Sequence, residues 1–135
     1  MLDTNEYIFA LGPVKKPSCE KLLDTLRKEL SRHTIRIPRL IVEEVRENLS
    51  PDAFREFILF INTLTSIDED FLVPFELGAQ YEKQGFKSPD AFIAAYTEWV
   101  GADALVTENR HFLSSQAVLP FKMLSAEECL ALIKS

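Results

Sequence analysis

Glycine and cysteine are both scarce in this chain, with 4 Gly and 2 Cys among 135 residues. So little glycine, together with 47% hydrophobic residues, excludes a collagen-like or disordered chain. The two thiols, Cys19 and Cys129, lack the paired spacing of a zinc motif or of a redox motif. We therefore expect ordinary reduced cysteines in a cytoplasmic protein.

Long apolar runs are absent as well. No stretch approaches the ~20 apolar residues that a membrane span requires. Met1 is followed almost at once by Asp3, so we expect no secretory signal. The length suits one domain over residues 1–135, large enough to bury a core. These features predict a single cytoplasmic domain with no membrane partner.

A surplus of positive charge is also missing, since the net charge is −6. This balance excludes a protein that holds nucleic acid by bulk electrostatics alone. Residues 1–50 carry nine Lys and Arg against eight acids, whereas residues 51–135 carry six against thirteen. The asymmetry predicts that a phosphate-bearing substrate approaches the N-terminal half and that cations neutralise clustered acids elsewhere.

Helical and strand-like patterns alternate along the chain. The predicted helices run from a Ser18 cap through Leu22, Leu23, Leu26 and Leu30 to near His33, then over 40–49, 51–64, 75–84 and 88–100, and finally from a Ser125 capping box onward. The predicted strands are 34–38, 102–107 and 121–124, while Pro74 leaves 71–75 ambiguous and an acidic turn is expected at 68–70. Strands separated by helices imply an α/β fold, a three-layer α/β/α sandwich with a mainly parallel central sheet.

Asp90 stands out within the stretch SPDAFIAA, residues 88–95. Ser88 is interpreted as the N-cap and Pro89 as the first helical position, so Asp90 falls in the first turn, where the helix dipole favours negative charge. Capping alone would explain this residue. Three other segments, however, place polar, metal-binding types beside apolar runs: LDTN at residues 2–5, IVEEV around Glu44 and LVTENRHF around Asn109.

These four segments should meet at one edge of the sheet. Sites in parallel sheets form at the carboxyl ends of strands. Asp3 is expected to end or nearly end a first strand, and residues 107–109 follow the apolar residues 104–106. Glu44 and Asp90 lie near helix starts and can complete the same crevice. Such a cluster of oxygen ligands suits Mg²⁺ or Mn²⁺ and commonly carries phosphoryl chemistry.

The ordered set LDTN, EVRENL (44–49), SPDAFIAA and GADALVTENRHF (101–112) resembles the four motifs of the PIN domain, a family of metal-dependent ribonucleases that includes toxins of toxin–antitoxin pairs. The resemblance covers essentially the whole chain. It implies that Asp3, Glu44 and Asp90 are catalytic, metal-binding carboxylates and that Asn109 stands where many members have a fourth acid. The supporting residues that it implies are Thr4, Asn5, Thr107 and Glu108.

The same resemblance implies Mg²⁺ or Mn²⁺ as the cofactor and RNA as the substrate. It also implies protein partners, namely an antitoxin and a second copy of the chain in a homodimer. The apolar stripe from Phe54 to Leu64 is the candidate docking face, unless it is ordinary core. Glu44 is preferred over Glu43 and Glu47 because the family's acid is followed by an apolar residue and, five positions on, by a leucine.

Other interpretations stay open. Asn109 is neutral, so three acids remain unless Glu108 takes over, and this favours a degenerate PIN domain that binds RNA or protein without cleaving. Only Met1 and Leu2 precede Asp3, so either the first strand is very short or the natural start lies upstream. A phosphotransfer domain with Asp3 as nucleophile would need a second acid beside the first or a positioned lysine, for which Lys122 is the candidate.

Overall fold

A computed structural model describes residues 1–29, 32–64 and 67–134 of the chain. The helices within these residues are α1 (Thr4–Leu11), α2 (Pro17–Lys28), α3 (Arg39–Asn48), α4 (Pro51–Leu64), α5 (Phe75–Lys83), α6 (Ser88–Trp99), α7 (Arg110–Leu113) and α8 (Ala126–Lys134). The strands are β1 (Ile37–Pro38), β2 (Ile67–Asp68), β3 (Ala104–Val106) and β4 (Lys122–Leu124), and a 3-10 turn covers Asp70–Leu72. Every helix in the described part of the chain is too short or too polar to span a bilayer.

The strands pair in parallel, as strands joined by helical crossovers must. β3 pairs with β4, with Leu105 opposite Met123. On the other side of β3, Leu2 forms a single parallel bridge with Val106. β1 pairs separately with β2, with Ile37 opposite Ile67. The predicted α/β class with parallel strands is confirmed, but the described strands form two separate pairs in place of one central sheet. β2 was not predicted, and β1, β3 and β4 are shorter than their sequence patterns.

Large apolar side chains from the helices close over these strands. Leu105 is fully buried in β3, and Tyr7 of α1 packs edge-on against Phe57 of α4 with 4.9 Å between ring centroids. Phe60 and Ile61 of α4 are also buried. The apolar stripe of α4 is therefore mostly core and not a docking face. The side chain of Leu64, its last member, lies outside the description.

Two predicted helix caps are wrong by a residue or two. α2 begins at Pro17 with Lys16 as N-cap, and α6 begins at Ser88 with Lys87 as N-cap, so neither Ser18 nor Ser88 is the cap. Each helix has proline among its first two residues, where a missing N–H leaves one fewer donor to cap. α2 ends at Lys28, before the predicted end near His33, and Leu30 lies outside the described residues.

The predicted carboxyl end of α6 and the predicted amino end of α8 are confirmed. α6 ends at Trp99 with Val100 as its C-cap, and Gly101 follows with a φ of 70°, in the left-handed region that glycine adopts at little cost. At the start of α8 the Ser125 and Glu128 side chains each accept a hydrogen bond from the other's backbone N–H, at 3.1 and 3.0 Å. This arrangement is the capping box that the sequence indicates.

The acidic segment 68–70 is more than a turn, because it fixes the start of α3. Asp68 lies in β2 and accepts two hydrogen bonds from the Arg36 guanidinium, at 3.0 and 2.9 Å. Asp70 Oδ1 accepts a hydrogen bond of 3.0 Å from the backbone N–H of Leu40. A distant carboxylate thus caps α3, whose own N-cap position is Pro38 and has no side-chain acceptor. α3 in turn carries Glu44.

Candidate metal centre

Asp3 is fixed from three directions at the carboxyl end of β3. Its backbone N–H donates to Val106 O at 2.9 Å, which continues the bridge made by Leu2. Its side chain accepts hydrogen bonds of 2.8 Å from the Thr4 backbone N–H and 2.8 Å from Thr107 Oγ1. The carboxylate therefore caps α1 and lies buried between the first helix and the loop that follows β3.

Glu44 reaches the same place from α3. Thr4 Oγ1 donates a 2.7 Å hydrogen bond to Glu44 Oε1, so one threonine links both acids. Asn48 lies one turn further along α3 and borders the same space, and its Nδ2 donates to the Glu44 backbone carbonyl at 2.8 Å. Asn48 was not among the predicted site residues, although its spacing of four from Glu44 is the signal for a shared helix face.

Asp90 and Asn109 face each other across the remaining side. Asp90 lies in the first turn of α6, as predicted. Asn109 Nδ2 approaches Asp90 Oδ2 at 3.4 Å, while Asn109 Oδ1 accepts from the His111 backbone N–H at 2.9 Å and caps α7. In this arrangement Asn109 turns its amide donor toward Asp90 and uses its oxygen elsewhere.

The predicted residues converge on one cavity of about 250 Å³. Its lining comprises Asp3, Thr4, Asn5, Ile8, Glu44, Asn48, Pro89, Asp90, Ile93 and Asn109. Thr107 lies directly behind it and holds Asp3. Glu108 lies elsewhere, because its carboxylate binds Lys16 Nζ at 2.6 Å and the backbone N–H of Ala126 at 2.9 Å. Among the supporting residues, only Glu108 is turned away from the cavity.

Negative charge in this cavity is poorly compensated by the protein. Burial raises the pKa of Asp3 above its ordinary value, the hydrogen bonds from Thr107 and Thr4 lower it, and the charges of Glu44 and Asp90 raise it further. Among the described residues, no lysine or arginine forms an ion pair with any of these three acids. The carboxylates therefore repel one another unless a cation lies between them.

The donor set fits a hard divalent cation. Three carboxylates supply oxygen ligands, and the amides of Asn5 and Asn48 also line the cavity and carry neutral oxygen atoms. No sulfur or imidazole lines the described cavity, so the set matches Mg²⁺ or Mn²⁺ better than zinc or copper. Asp3, Glu44 and Asp90 would hold such an ion.

A second cavity of about 240 Å³ adjoins the first, and Asp90 lines both. Lys87 and His111, both exposed, line it together with the half-buried ring of Phe86. A larger cavity of about 380 Å³ lies near Met1 and Ala104, and its described lining includes one acid, Asp103. The candidate metal centre is therefore distinguished by the three acids that line its cavity and not by the volume of that cavity.

The position of Lys122 bears on the phosphotransfer interpretation. Lys122 is exposed at the start of β4 and pairs with Ala104 at the amino end of β3, whereas Asp3 lies at the carboxyl end beside Val106. A lysine at the opposite end of the strand cannot neutralise a phosphoryl group on Asp3, so this geometry does not favour that chemistry. Comparison of the chain with protein-family models, curated proteins and solved structures found no significant match.

Proposed function

We propose that the chain is a PIN-domain ribonuclease that hydrolyses RNA phosphodiester bonds with a divalent metal ion. The observation that carries the proposal is the convergence of Asp3, Glu44 and Asp90 on one cavity beside Asn109. These residues are up to 106 positions apart in the chain, yet all four come from the segments that resemble the family's motifs. The parallel strand pairs connected through helices give the chain the mixed α/β character that the proposed three-layer sandwich requires.

In the proposed site the carboxylates bind the metal ion, and the threonines orient the carboxylates. Bound Mg²⁺ or Mn²⁺ would supply the positive charge that activates water and stabilises the phosphorane-like transition state. Thr107 and the backbone of Thr4 fix the Asp3 carboxylate, and the Thr4 hydroxyl fixes Glu44. Such fixed orientation matters because catalytic geometry tolerates little displacement. No protein nucleophile is required.

The adjoining cavity offers a route for the RNA backbone. Lys87 and His111 line it next to Asp90, and both side chains are exposed. A lysine there attracts phosphate to the acid-lined site, which would otherwise repel it. The chain as a whole is acidic, so this local cation compensates where the substrate must approach.

Metal-dependent cleavage of RNA by the purified chain tests the proposal, with Asp90→Asn as the inactive variant. We expect at least a ~100-fold loss of rate, because the substitution removes one ligand charge from the site. The pentapeptide Ser-Pro-Asp-Ala-Phe occurs at both 50–54 and 88–92, so Asp52→Asn is a control in identical local sequence. The Asp52 side chain is 94% exposed, so that variant should keep full activity. Equal activity of the Asp90→Asn variant and the wild type would contradict the proposal.

A non-catalytic RNA-binding module is the second candidate, and the orientation of Asn109 favours it. The amide nitrogen of Asn109, not its oxygen, faces Asp90 at 3.4 Å. If the wild type does not cleave RNA because it lacks a fourth acid, Asn109→Asp should produce cleavage. The substitution also removes the hydrogen bond from Asn109 Nδ2 to Asp90. RNA binding without cleavage in both the wild type and Asn109→Asp would select the binding module.

A protein partner, either an antitoxin or a second copy, belongs to the same proposal. The stripe of α4 is mostly buried, so such a partner would need another apolar face. Phe71 and Phe75 flank the start of α5 and expose 83% and 85% of their surface. Sedimentation at micromolar concentration tests the second copy, since a monomer there would exclude a stable homodimer.

A further inference from the structure

A separate group of ionisable side chains joins α1, α2 and the loop 107–109. Glu6 of α1, Cys19 of α2 and Glu108 of the loop each offer one potential ligand atom, and these atoms lie within 4.8 Å of one another. Glu6 and Cys19 are fully buried, and the Glu108 side chain is only 7% exposed. The group has no member in common with the cavity that holds Asp3, Glu44 and Asp90.

Glu6 is the unusual member of this group. Neither of its carboxyl oxygens has a hydrogen-bond donor among the described residues, although the side chain is fully buried. Beyond hydrogen-bond distance, Glu6 interacts with the other two members of the group, because it can share a proton with Glu108 and the Cys19 thiol is a weak donor. Burial of an unpartnered carboxyl group costs free energy, so its presence in the core calls for a ligand.

We propose that Glu6, Cys19 and Glu108 form a binding site for a divalent transition-metal ion, with Zn²⁺ as the best match. One thiolate sulfur and two carboxylate oxygens are three of the four ligands of a tetrahedral zinc site, and water completes it. Ligand atoms of such a site lie roughly 3.3 to 3.8 Å apart, so the three side chains need to close by about 1 Å. The sulfur ligand disfavours Mg²⁺ and Ca²⁺, which distinguishes this site from the oxygen-lined cavity.

The charges around the group also fit a divalent ion. Two carboxylates and a thiolate carry three negative charges, and a divalent ion together with the Lys16 ammonium neutralises them. Lys16 Nζ lies 2.6 Å from Glu108 Oε1, and the lysine is half-exposed at the outer side of the group. Each carboxylate oxygen has two lone pairs, so Glu108 can keep its bonds to Lys16 and Ala126 while it binds the ion.

Such an ion would act on the fold, and the inference does not depend on ribonuclease activity. It would join α1, α2 and the loop that carries Thr107 and Asn109 at a single point. The protons that burial keeps on Glu6 and Cys19 would leave for solvent as the ion enters.

Titration of the metal-free chain with Co²⁺ tests the site, because a thiolate ligand gives a near-ultraviolet charge-transfer band. We expect the band in the wild type, its loss in Cys19→Ser and its retention in Cys129→Ser. Cys129 is the matched control, as the chain's other thiol, half-buried on α8 and outside the group. A band that is absent from the wild type, or that persists in Cys19→Ser, would overturn the proposal.

Competition between Zn²⁺ and Co²⁺ for the site provides a second readout. This readout does not require the Cys19→Ser variant to fold. Glu6→Gln removes one ligand charge, so we expect metal affinity to fall by at least about tenfold. Asp90→Asn leaves this site intact and should bind Zn²⁺ as tightly as the wild type does. Equal affinity of Glu6→Gln and the wild type, or loss of affinity in Asp90→Asn, would assign the metal to another place.

Discussion

At the scale of single residues, Glu6 makes the metal-free chain sensitive to pH. Burial first, and then the neighbouring Glu108, raise the pKa of Glu6 from 4.5 to about 9. Folding therefore takes up a proton between these values, and the stability gained at low pH is lost as the pH rises toward 9. Glu6→Gln keeps the shape without titrating, so we expect the free energy of unfolding at pH 7 to rise by on the order of 3 kcal/mol. Urea unfolding in the presence of a chelator measures this difference.

A matched control is available on the next helix. Glu20 of α2 is exposed, so Glu20→Gln should leave the free energy of unfolding unchanged. At pH 4 the folded and unfolded states both hold a proton on Glu6, and the advantage of Glu6→Gln should disappear. An advantage that stays constant from pH 4 to pH 8 would show that Glu6 does not titrate as described.

The repeated pentapeptide Ser-Pro-Asp-Ala-Phe shows what a single residue's context can and cannot predict. Both copies start a helix and set their aspartate in the first turn, as the sequence predicts. Asp52 then faces solvent near Arg55, while Asp90 faces a cavity. Local sequence fixes the backbone, but the surroundings of each carboxylate come from segments far along the chain. Only the ordered set of motifs distinguished Asp90 beforehand.

At the scale of elements, two glycines should respond in opposite ways to the same substitution. Gly78 lies within α5 and Gly101 ends α6, and an added Cβ would meet no atom within 4 Å at either position. Gly78→Ala should raise the free energy of unfolding by about 0.5 to 1 kcal/mol through helix propensity. Gly101→Ala should lower it by about 1 kcal/mol, because alanine is strained at φ 70°.

Thermal or urea unfolding of the two variants side by side measures this contrast. Since an added Cβ would meet no atom within 4 Å at either position, backbone conformation is the main difference that the two variants test. A stabilising Gly101→Ala would indicate that α6 continues past its present end. That change would also shift the strand β3 that follows.

Element boundaries were harder to predict than element types. The predicted strand over 102–107 is realised as β3 over three residues, and 34–38 as β1 over two. An apolar run indicates which residues are buried. The length of a strand depends on how many of those residues pair with a neighbouring strand. The Asp70 cap on α3 was also beyond prediction, because donor and acceptor are 30 residues apart.

At the scale of the whole molecule, metal binding should be coupled to folding. Asp3, Glu44 and Asp90 lie together with no ion-pair partner among the residues that the structure describes. Mg²⁺ at ~100-fold excess over its Kd should therefore stabilise the fold by about 2.7 kcal/mol. For a domain of this size we expect the Tm to rise by roughly 5 to 10 °C. Thermal melts with and without Mg²⁺ measure the shift at pH 7.

Asp90→Asn should abolish that shift, and Asp52→Asn should keep it. Removal of one charge from the cavity also relieves repulsion, so metal-free Asp90→Asn should melt no lower than the metal-free wild type. If the Tm of the wild type is the same with and without Mg²⁺, that result would count against the metal centre. It would not contradict the description of the fold.

The proximity of the four candidate residues follows in part from the sequence pattern. Asp3 and Asn109 come together because both follow residues paired in parallel at one edge, whereas Glu44 and Asp90 reach the cavity from helices α3 and α6. Cys19 was interpreted from spacing alone as an ordinary thiol, and Glu6 drew no interpretation. Their proximity to Glu108 joins α1 and α2 to a residue more than 85 positions away, and no local pattern encodes that contact.

The three consecutive residues after β3 contact three different parts of the fold. Thr107 bonds to Asp3, Glu108 bonds to Lys16 and Ala126, and Asn109 caps α7 beside Asp90. Loops usually accept insertions and deletions because their side chains have few fixed partners. Here a change of one residue in length would shift each side chain to its neighbour's partner. A substitution in this loop would therefore remove the contacts of one residue, whereas a change in its length would displace all three.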